Sequence, residues 1–228
     1  HMLFKEGIKQ QDLEIKGTCL KRETGTHIQF WPDPQYFDSV KFSLSSLRHN
    51  LRAKAVLCPG LNVTLIDKVH EREENWCYQK GLEEYLTEAL DDFGVLLPHA
   101  LSGQYHEESN HVSWAVNWSE TTQELVRESY VNLIPTLLGG THVNGLRLGL
   151  LDAMREFCQL RQLLPRGVKL APEDIWACCQ FVLSIKIHDP QFQGQTKERL
   201  LNRHAAQLVS TMIKDDFSLW LNKHTALG

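Results

Sequence analysis

The sequence has no long apolar run and no excess of positive charge. No segment approaches the roughly 18 to 20 apolar residues that cross a membrane, and no leader with a basic start and an apolar centre opens the chain, which predicts a soluble, cytosolic protein. Lys and Arg number 24 against 28 Asp and Glu, so the formal net charge is -4. This balance argues against a protein that holds nucleic acid by a global positive field, and leaves a local basic groove open.

The six cysteines show no spacing that is typical of a metal or redox site. No C-x-x-C pair occurs, which favours reduced thiols in a bacterial-type cytosol over a disulfide scaffold or a zinc ribbon. The cysteines are Cys19, Cys58, Cys77, Cys158, Cys178 and Cys179. The opening pair His1-Met2 looks like the remnant of an expression tag. The chain is therefore predicted to be a fragment of a longer protein.

Common catalytic motifs are missing as well. The sequence holds no G-x-x-x-x-G-K-[ST] phosphate loop, no G-x-G-x-x-G, no H-E-x-x-H, no G-x-S-x-G and no Asp-x-Asp pair. A self-contained enzyme is therefore not indicated. The 228 residues are nevertheless enough for one large domain or two small ones.

Helical and strand periods alternate along most of the chain. Helices are predicted at 43–58, 82–93, 141–162, 172–180 and about 196–223, and strands at 61–66, 75–79, 112–118, 125–134 and 181–187. Alternating polar and apolar residues predict a half-buried strand at 112–118, with Trp114 and Trp118 in the core, and a further strand at 181–187. The whole pattern predicts an α+β or α/β core over about residues 34 to 190.

The residues before this core predict part of a neighbouring sheet. Residues 3–22 hold short apolar pairs broken by glycines, and residues 26–31 alternate polar and apolar side chains as a strand does. The Pro32-Asp33-Pro34 segment then marks a boundary, because proline cannot donate to a strand ladder.

Residues 94–111 are predicted as a surface loop, and their side chains raise the question of a metal site. His99, His106, Glu107, Glu108 and His111 are suitable ligands, but their gaps are irregular. A solvated loop is the preferred interpretation, and no metal site is predicted. Cys178 and Cys179 are predicted on different faces of one helix, as core or near-surface thiols.

Residues 189–197 (DPQFQGQTK) contain the clearest candidate for binding chemistry. Here a strand ends at a proline, and a helix is predicted to start at Gln195 or Thr196. Lys197 then falls in the first helical turn, where the helix dipole disfavours a cation by about 0.3–1 kcal/mol. A bound phosphate would reverse that sign, since backbone N–H groups, the Gln195 amide and the Lys197 ammonium would converge on it. The alternative is an exposed lysine relieved by Glu198.

Residues 139–147 (GGTHVNGLR) form a second candidate. The two glycines permit a tight turn from strand to helix, and Thr141 or Asn144 is a suitable helix cap. On the helix that follows, the arginines lie away from the apolar stripe, which is typical either of a solvated face or of a groove for a polyanion. These basic residues are Arg147, Arg155 and Arg161, with Arg166 and Lys169 just beyond.

Taken together, these segments resemble the B subunits of bacterial type II topoisomerases. The resemblance rests on residues 129–136 (SYVNLIPT), 139–147 and 189–197 in one order. Residues 164–170 (LPRGVKL) and 173–176 (EDIW) are closer to the proteobacterial topoisomerase IV branch than to gyrase. The likeness runs from about Phe4 to Trp220. A gyrase B subunit or a stand-alone, non-catalytic nucleic-acid-binding module are the alternatives.

The resemblance implies an α+β fold in three parts. Residues 34–200 would be a transducer domain similar to domain 2 of ribosomal protein S5. Residues 1–33 would be the tag remnant and the last strands of a GHKL-type ATPase domain. Residues 201–228 would be a helix that leads toward a magnesium-binding TOPRIM domain. The ATPase motifs of the family are missing here, so the fragment alone is expected to be inactive and to bind no ATP or Mg2+.

The resemblance also implies roles for particular residues. Gln195 and Lys197 match a transducer loop that reaches the ATP γ-phosphate, with Lys197 as catalytic transition-state stabiliser and sensor. Arg147 matches an arginine that faces the DNA cavity in gyrase, and Arg155 shares its helix face. The implied partners are DNA, the A subunit of topoisomerase IV in an assembly of two A and two B subunits, and a second B subunit when ATP binds. The fragment is expected to be a monomer, and the full-length protein to use ATP and Mg2+ in the bacterial cytoplasm, at the nucleoid.

Overall fold

The computed structural model describes residues 1–91, 94–107, 110–120, 125–165 and 167–228. The chain divides into two compact units, His1–Phe42 and Ser43–Gly228. The first unit contains one antiparallel hairpin of β1 (Leu3–Lys5) and β2 (Ile8–Gln11). Residues 26–31, predicted as a strand, are irregular because no described strand pairs with them.

The second unit confirms the predicted α+β class and its long C-terminal helix. Its elements in chain order are α1 (Leu44–Leu57), β3 (Val63–Asp67), β4 (Arg72–Trp76), α2 (Leu82–Ala89), β5 (Leu101–Glu107), β6 (Asn110–Trp118), β7 (Arg127–Val131), β8 (Ile134–Pro135), α3 (Thr141–Leu160), α4 (Pro172–Trp176), β9 (Cys179–Lys186) and α5 (Arg203–Lys223). Strands β3 and β4 form a separate antiparallel hairpin. No described helix is both long and apolar enough to cross a bilayer, and the six cysteines are unpaired.

A five-stranded sheet in the order β5-β6-β9-β7-β8 organises this unit. Strand β9 runs antiparallel to β6 and parallel to β7. Because β7 and β9 are parallel, both end at the same edge of the sheet. Of the two candidate binding segments of the sequence, 189–197 comes after β9, and 139–147 comes after the hairpin that β7 forms with β8.

The central strands β6 and β9 are buried on both faces of the sheet. Trp114 and Leu183 pack in one cluster with apolar residues of α3 and α5. Their neighbours Ala115 and Val182 pack in the other cluster with residues of α1 and α2. The prediction of a half-buried strand at 112–118 is therefore wrong for β6, because helices cover both sides of this central strand. The predicted core position of Trp114 is confirmed, while Trp118 is partly buried and packs against that core.

Helices α3 and α5 approach closely at two glycines. A Cβ atom added at Gly145 would lie 2.5 Å from the carbonyl oxygen of Ala206, and one at Gly149 would lie 2.7 Å from that of Ser210. The two glycines are one helical turn apart and thus face α5 together. Their missing side chains let the two helix backbones come into contact.

Two strand predictions need correction. Residues 94–111 are not a loop throughout, because β5 and the start of β6 pair within them. The rings of His106 and His111 stack across this pair at 3.9 Å, while Glu108 lies outside the described residues. The predicted strand 125–134 is in fact the hairpin of β7 and β8. Its turn residues Asn132 and Leu133 have φ values of 49° and 66°, which reverse the chain.

Two helix predictions also need correction. Helix α5 begins at Arg203 rather than at Gln195 or Thr196. Helix α4 ends at Trp176, so Cys178 and Cys179 are not on a helix, and Cys179 opens β9. The remaining helices lie close to their predicted ranges, although residues 92–93 of the second one lie outside the described residues.

Candidate functional site

The loop between β9 and α5, residues 188–201, carries Lys197 and is called here the Lys197 loop. It closes on itself like a hairpin, with a bridge between Phe192 and Leu200. The Gln193 N–H donates to the Arg199 carbonyl at 2.9 Å, and the Leu201 N–H donates to the Gln191 carbonyl at 2.8 Å. These bonds hold the loop by its own main chain and leave residues 194–198 as its tip.

The tip presents two hydrogen-bond donors to solvent. The Gln195 and Lys197 side chains are both exposed on one turn. The Lys197 ammonium lies 5.9 Å from the centre of the Phe192 ring, and it makes no ion pair with any described residue, Glu198 included. Lys197 itself adopts a left-handed φ of 57°. The lysine is therefore available to an anionic ligand.

The predicted position of Lys197 in the first turn of a helix is wrong, because α5 starts at Arg203, six positions later in the chain. The influence of a helix end is confined to its first turn, so the dipole of α5 does not set the charge preference at Lys197. The chemistry that the tip offers is instead that of the Lys197 ammonium and the Gln195 amide, both of them exposed.

The base of the loop is joined to the start of α3. The Leu200 N–H donates to the Gly139 carbonyl at 3.1 Å, and the Thr141 N–H donates to the Leu200 carbonyl at 3.1 Å. The Leu138 N–H donates to the Glu198 carbonyl at 2.9 Å. The two candidate segments of the sequence thus form one structure, although about fifty residues separate them.

Gly140 is required at this junction. Its φ is 138°, a backbone conformation that side chains disfavour. A Cβ atom added there would lie 2.5 Å from the main-chain nitrogen of Leu200. Gly140 also occupies the N-cap of α3, which has no side-chain cap, so the predicted capping by Thr141 or Asn144 is wrong. The glycine pair serves close backbone pairing as well as the turn.

A cluster of buried polar side chains lies next to this junction. The Thr136 hydroxyl donates to the Ser129 carbonyl at 2.9 Å and lies 3.2 Å from Nε2 of His142. His142 is fully buried, and burial lowers its pKa to about 4. The imidazole is therefore neutral at pH 7. Sequence reasoning missed His142, whose only signal is a polar residue at the start of an otherwise apolar helix face.

The predicted DNA-facing arginines lie on α3 and are engaged by the segment that follows that helix. Arg147 pairs with Glu173, and its guanidinium lies 5.8 Å from the centre of the Trp176 ring. Arg155 donates to the Leu170 carbonyl at 2.6 and 3.1 Å. Both guanidinium groups thus have partners within the chain, while Arg166 lies outside the described residues.

The chain is similar to known proteins over nearly its whole length. The model for DNA gyrase B matches residues 81–228, and the chain belongs to this family. The chain is 56% identical over 224 residues to the B subunit of DNA topoisomerase 4 from Salmonella typhimurium, covering 98% of this chain and 36% of that protein. It is 57% identical over 227 residues to the protein of the same name from Pseudomonas aeruginosa, covering 100% of this chain and 36% of that protein. The chain thus spans about a third of the length of these relatives.

Solved structures agree with this assignment. A topoisomerase IV ATP-binding domain of Francisella tularensis, solved with a small-molecule inhibitor, superposes with a TM-score of 0.84 at 34% identity, covering 100% of this chain and 61% of that one. The 43K ATPase domain of Thermus thermophilus gyrase B gives a TM-score of 0.81 at 24% identity, covering 99% and 61%, which supports the fold alone. The resemblance to type II topoisomerase B subunits is therefore confirmed.

Proposed function

We propose that this chain is the transducer part of a topoisomerase IV B subunit. In this role residues 34–200 form the transducer domain, similar to domain 2 of ribosomal protein S5. They couple ATP binding and hydrolysis to the capture and passage of a DNA duplex, and so to decatenation. Residues 1–33 end the ATPase domain, and residues 201–228 lead toward the TOPRIM domain. The identity to topoisomerase 4 B subunits across the chain supports this role over that of gyrase.

The unpaired ammonium of Lys197 is the observation that carries the proposal. An exposed lysine with no ion pair to a described residue stands at the tip of a loop held by main-chain bonds. Lys197 and the Gln195 amide are suitable donors for the γ-phosphate of ATP. A charge-assisted hydrogen bond contributes about 1.5–3 kcal/mol, so loss of that phosphate would shift a domain equilibrium by roughly 10- to 100-fold. Lys197 would thereby act as catalytic group and as sensor.

The other components of the reaction are assigned to the rest of the full-length protein. The described residues contain no group of three or more His, Cys, Asp or Glu side chains that would hold a metal ion. Mg2+ binding is therefore not assigned to them, and the 228-residue chain alone is expected to be inactive. In the bacterial cytoplasm, at the nucleoid, the full-length protein would act with DNA and with the A subunit of topoisomerase IV, and would pair with a second copy of itself when ATP binds.

The test is Lys197→Ala in the full-length protein, in complex with the A subunit. We expect ATP turnover to fall by about 100-fold, because a stabilising charge at the γ-phosphate is lost, while nucleotide binding is largely kept. Lys68→Ala is the matched control, since Lys68 is an exposed lysine in the turn between β3 and β4. Near-normal turnover of Lys197→Ala would disprove the assigned role. Decatenation measured against supercoiling separates topoisomerase IV from gyrase.

A further inference from the structure

We infer that Asn132 and Asn202 are positioning residues that fix the two ends of the Lys197 loop. This inference rests on the proposed role of Lys197. Neither asparagine lies at the tip of the loop, and neither presents its amide to the ligand. Each acts through the main chain of the residues that lead into or out of the loop.

Asn132 holds the entrance of the loop. Its Nδ2 donates to the Ile187 carbonyl at 3.0 Å, and its Oδ1 accepts from the Ile187 N–H at 3.0 Å. Ile187 directly precedes the loop. Asn132 has a left-handed φ of 49°, and its own N–H donates to the Ile185 carbonyl at 2.9 Å. The side-chain amide thus extends the parallel pairing of β7 and β9 past the end of both strands.

Asn202 follows the last residue of the loop, and its side chain binds residues near the start of the loop. Its Oδ1 accepts from the Gln191 N–H at 2.6 Å, and its Nδ2 donates to the Asp189 carbonyl at 3.2 Å. Asn202 is the N-cap residue of α5, yet its side chain makes no cap hydrogen bond to that helix. The side chain is buried against the loop instead. Asparagine is a favoured cap residue, so use of its amide on the loop indicates a different role.

Together the two amides connect the loop to the sheet and to α5. The tip that carries Lys197 follows Gly194, whose φ is 70° and whose surroundings are open. The direction of the tip therefore depends on how firmly the residues on either side are held. Two hydrogen bonds in the lower half of the usual strength range correspond to about a tenfold change in the equilibrium between the held and the released loop. That change would appear in turnover, since a misplaced charge stabilises the transition state less.

The experiment measures ATP turnover by the full-length protein in complex with DNA and the A subunit. Asn202→Ala removes both side-chain bonds, and Asn132→Gly does so while it keeps the left-handed backbone. We expect each variant to lower kcat about tenfold and to change KM for ATP less than about twofold. Asn222→Ala is the control, because the Asn222 amide donates to the Ser218 carbonyl at 2.9 Å on an exposed part of α5. The control is expected to turn over ATP normally.

The double variants separate positioning from general stability. If the asparagines act through Lys197, Asn202→Ala and Asn132→Gly add no further loss in a Lys197→Ala background. An equal fold loss in both backgrounds would overturn the inference, as would normal kcat in the single variants. Normal turnover of Lys197→Ala alone overturns the proposed function and this inference with it. If Asn132→Gly does not fold, Asn132→Asp keeps the bond from the Ile187 N–H but sets a carboxylate oxygen against the Ile187 carbonyl, and a loss of at least about threefold is expected.

Discussion

The tip of the Lys197 loop and the arginine face of α3 are both basic surfaces, but they differ in how their charges are engaged. Lys197 has no ion pair with a described residue, whereas Arg147 pairs with Glu173 and Arg155 donates to the Leu170 carbonyl. A ligand can reach the lysine directly. At the arginines it must first replace a partner supplied by the chain itself. The loop tip is thus suited to direct contact with a ligand, whereas the arginine face is suited to binding a ligand in exchange for an internal partner.

The largest effect on stability is expected at Gly140, where the base of the Lys197 loop contacts the start of α3. Gly140→Ala places a Cβ against the main chain of Leu200 in a disfavoured backbone conformation, and should cost about 3 kcal/mol or more of unfolding free energy. Gly194→Ala is the matched control, since Gly194 also has a positive φ but has open space around it, and should cost about 1 kcal/mol. Denaturant unfolding of the chain measures both. Equal losses of unfolding free energy in the two variants would mean that the contact with Leu200 does not require a glycine at position 140.

The buried imidazole beneath the loop predicts a pH dependence of stability. The folded-state pKa of His142 is lowered by burial from 6.5 to about 4. The unfolded chain therefore binds more protons between these values, and stability is lost as pH falls from 6.5 through about 4. The unfolding free energy lost by the time the imidazole is protonated in both states is about 3 kcal/mol. We expect the difference in unfolding free energy between the native chain and His142→Gln to shrink across this range. A constant difference would contradict the neutral imidazole.

The arginine face predicts a smaller effect on stability and a distinct effect on DNA binding. The Arg147–Glu173 pair is partly exposed, so Arg147→Ala should change the unfolding free energy by less than about 1 kcal/mol. If Arg147 contacts a DNA phosphate in the full-length protein, this variant lowers the slope of log K against log salt by about 0.9. Glu173→Gln should tighten DNA binding, since the competing carboxylate is gone. An unchanged salt slope in Arg147→Ala would show that Arg147 does not contact a DNA phosphate.

The smallest effect on stability is expected at the tip itself. Lys197→Ala removes an exposed side chain without an ion pair to a described residue, so the unfolding free energy should change by less than about 0.5 kcal/mol. Thermal unfolding of the 228-residue chain measures this change. A large destabilisation would show that Lys197 holds the loop together, and the contrast with the arginine face would no longer stand.

Local patterns were sufficient to predict most of the helices and the central strands, but not the elements that depend on distant partners. Leu101 and Tyr105 of β5 alternate as a strand requires, yet His and Glu residues nearby favoured a loop. The start of α5 was placed too early because Leu200 pairs with Gly140, a partner about sixty residues earlier in the chain. Such pairing is not visible in the period of the residues that form it.

The candidate site shows the same division. The residue types in 189–197 and 139–147 were enough to select both segments, because glycine, glutamine and lysine at these positions have direct chemical uses. Their contact through Leu200 was not predictable from either segment alone. The state of the arginines was also missed, since Glu173 and the Leu170 carbonyl approach α3 only once the chain folds back.

Leu200 makes two main-chain hydrogen bonds to the start of α3, and these should slow hydrogen exchange in a surface loop to the rates of a protein interior. Its N–H is bonded to Gly139, its carbonyl to Thr141, and its side chain is fully buried. The amide hydrogens of Leu200 and Thr141 should therefore exchange with solvent only when the loop base separates from the start of α3, and at similar rates. The tip amides just before them should exchange quickly. A sharp step in protection within a few residues would mark where the mobile part of the loop begins.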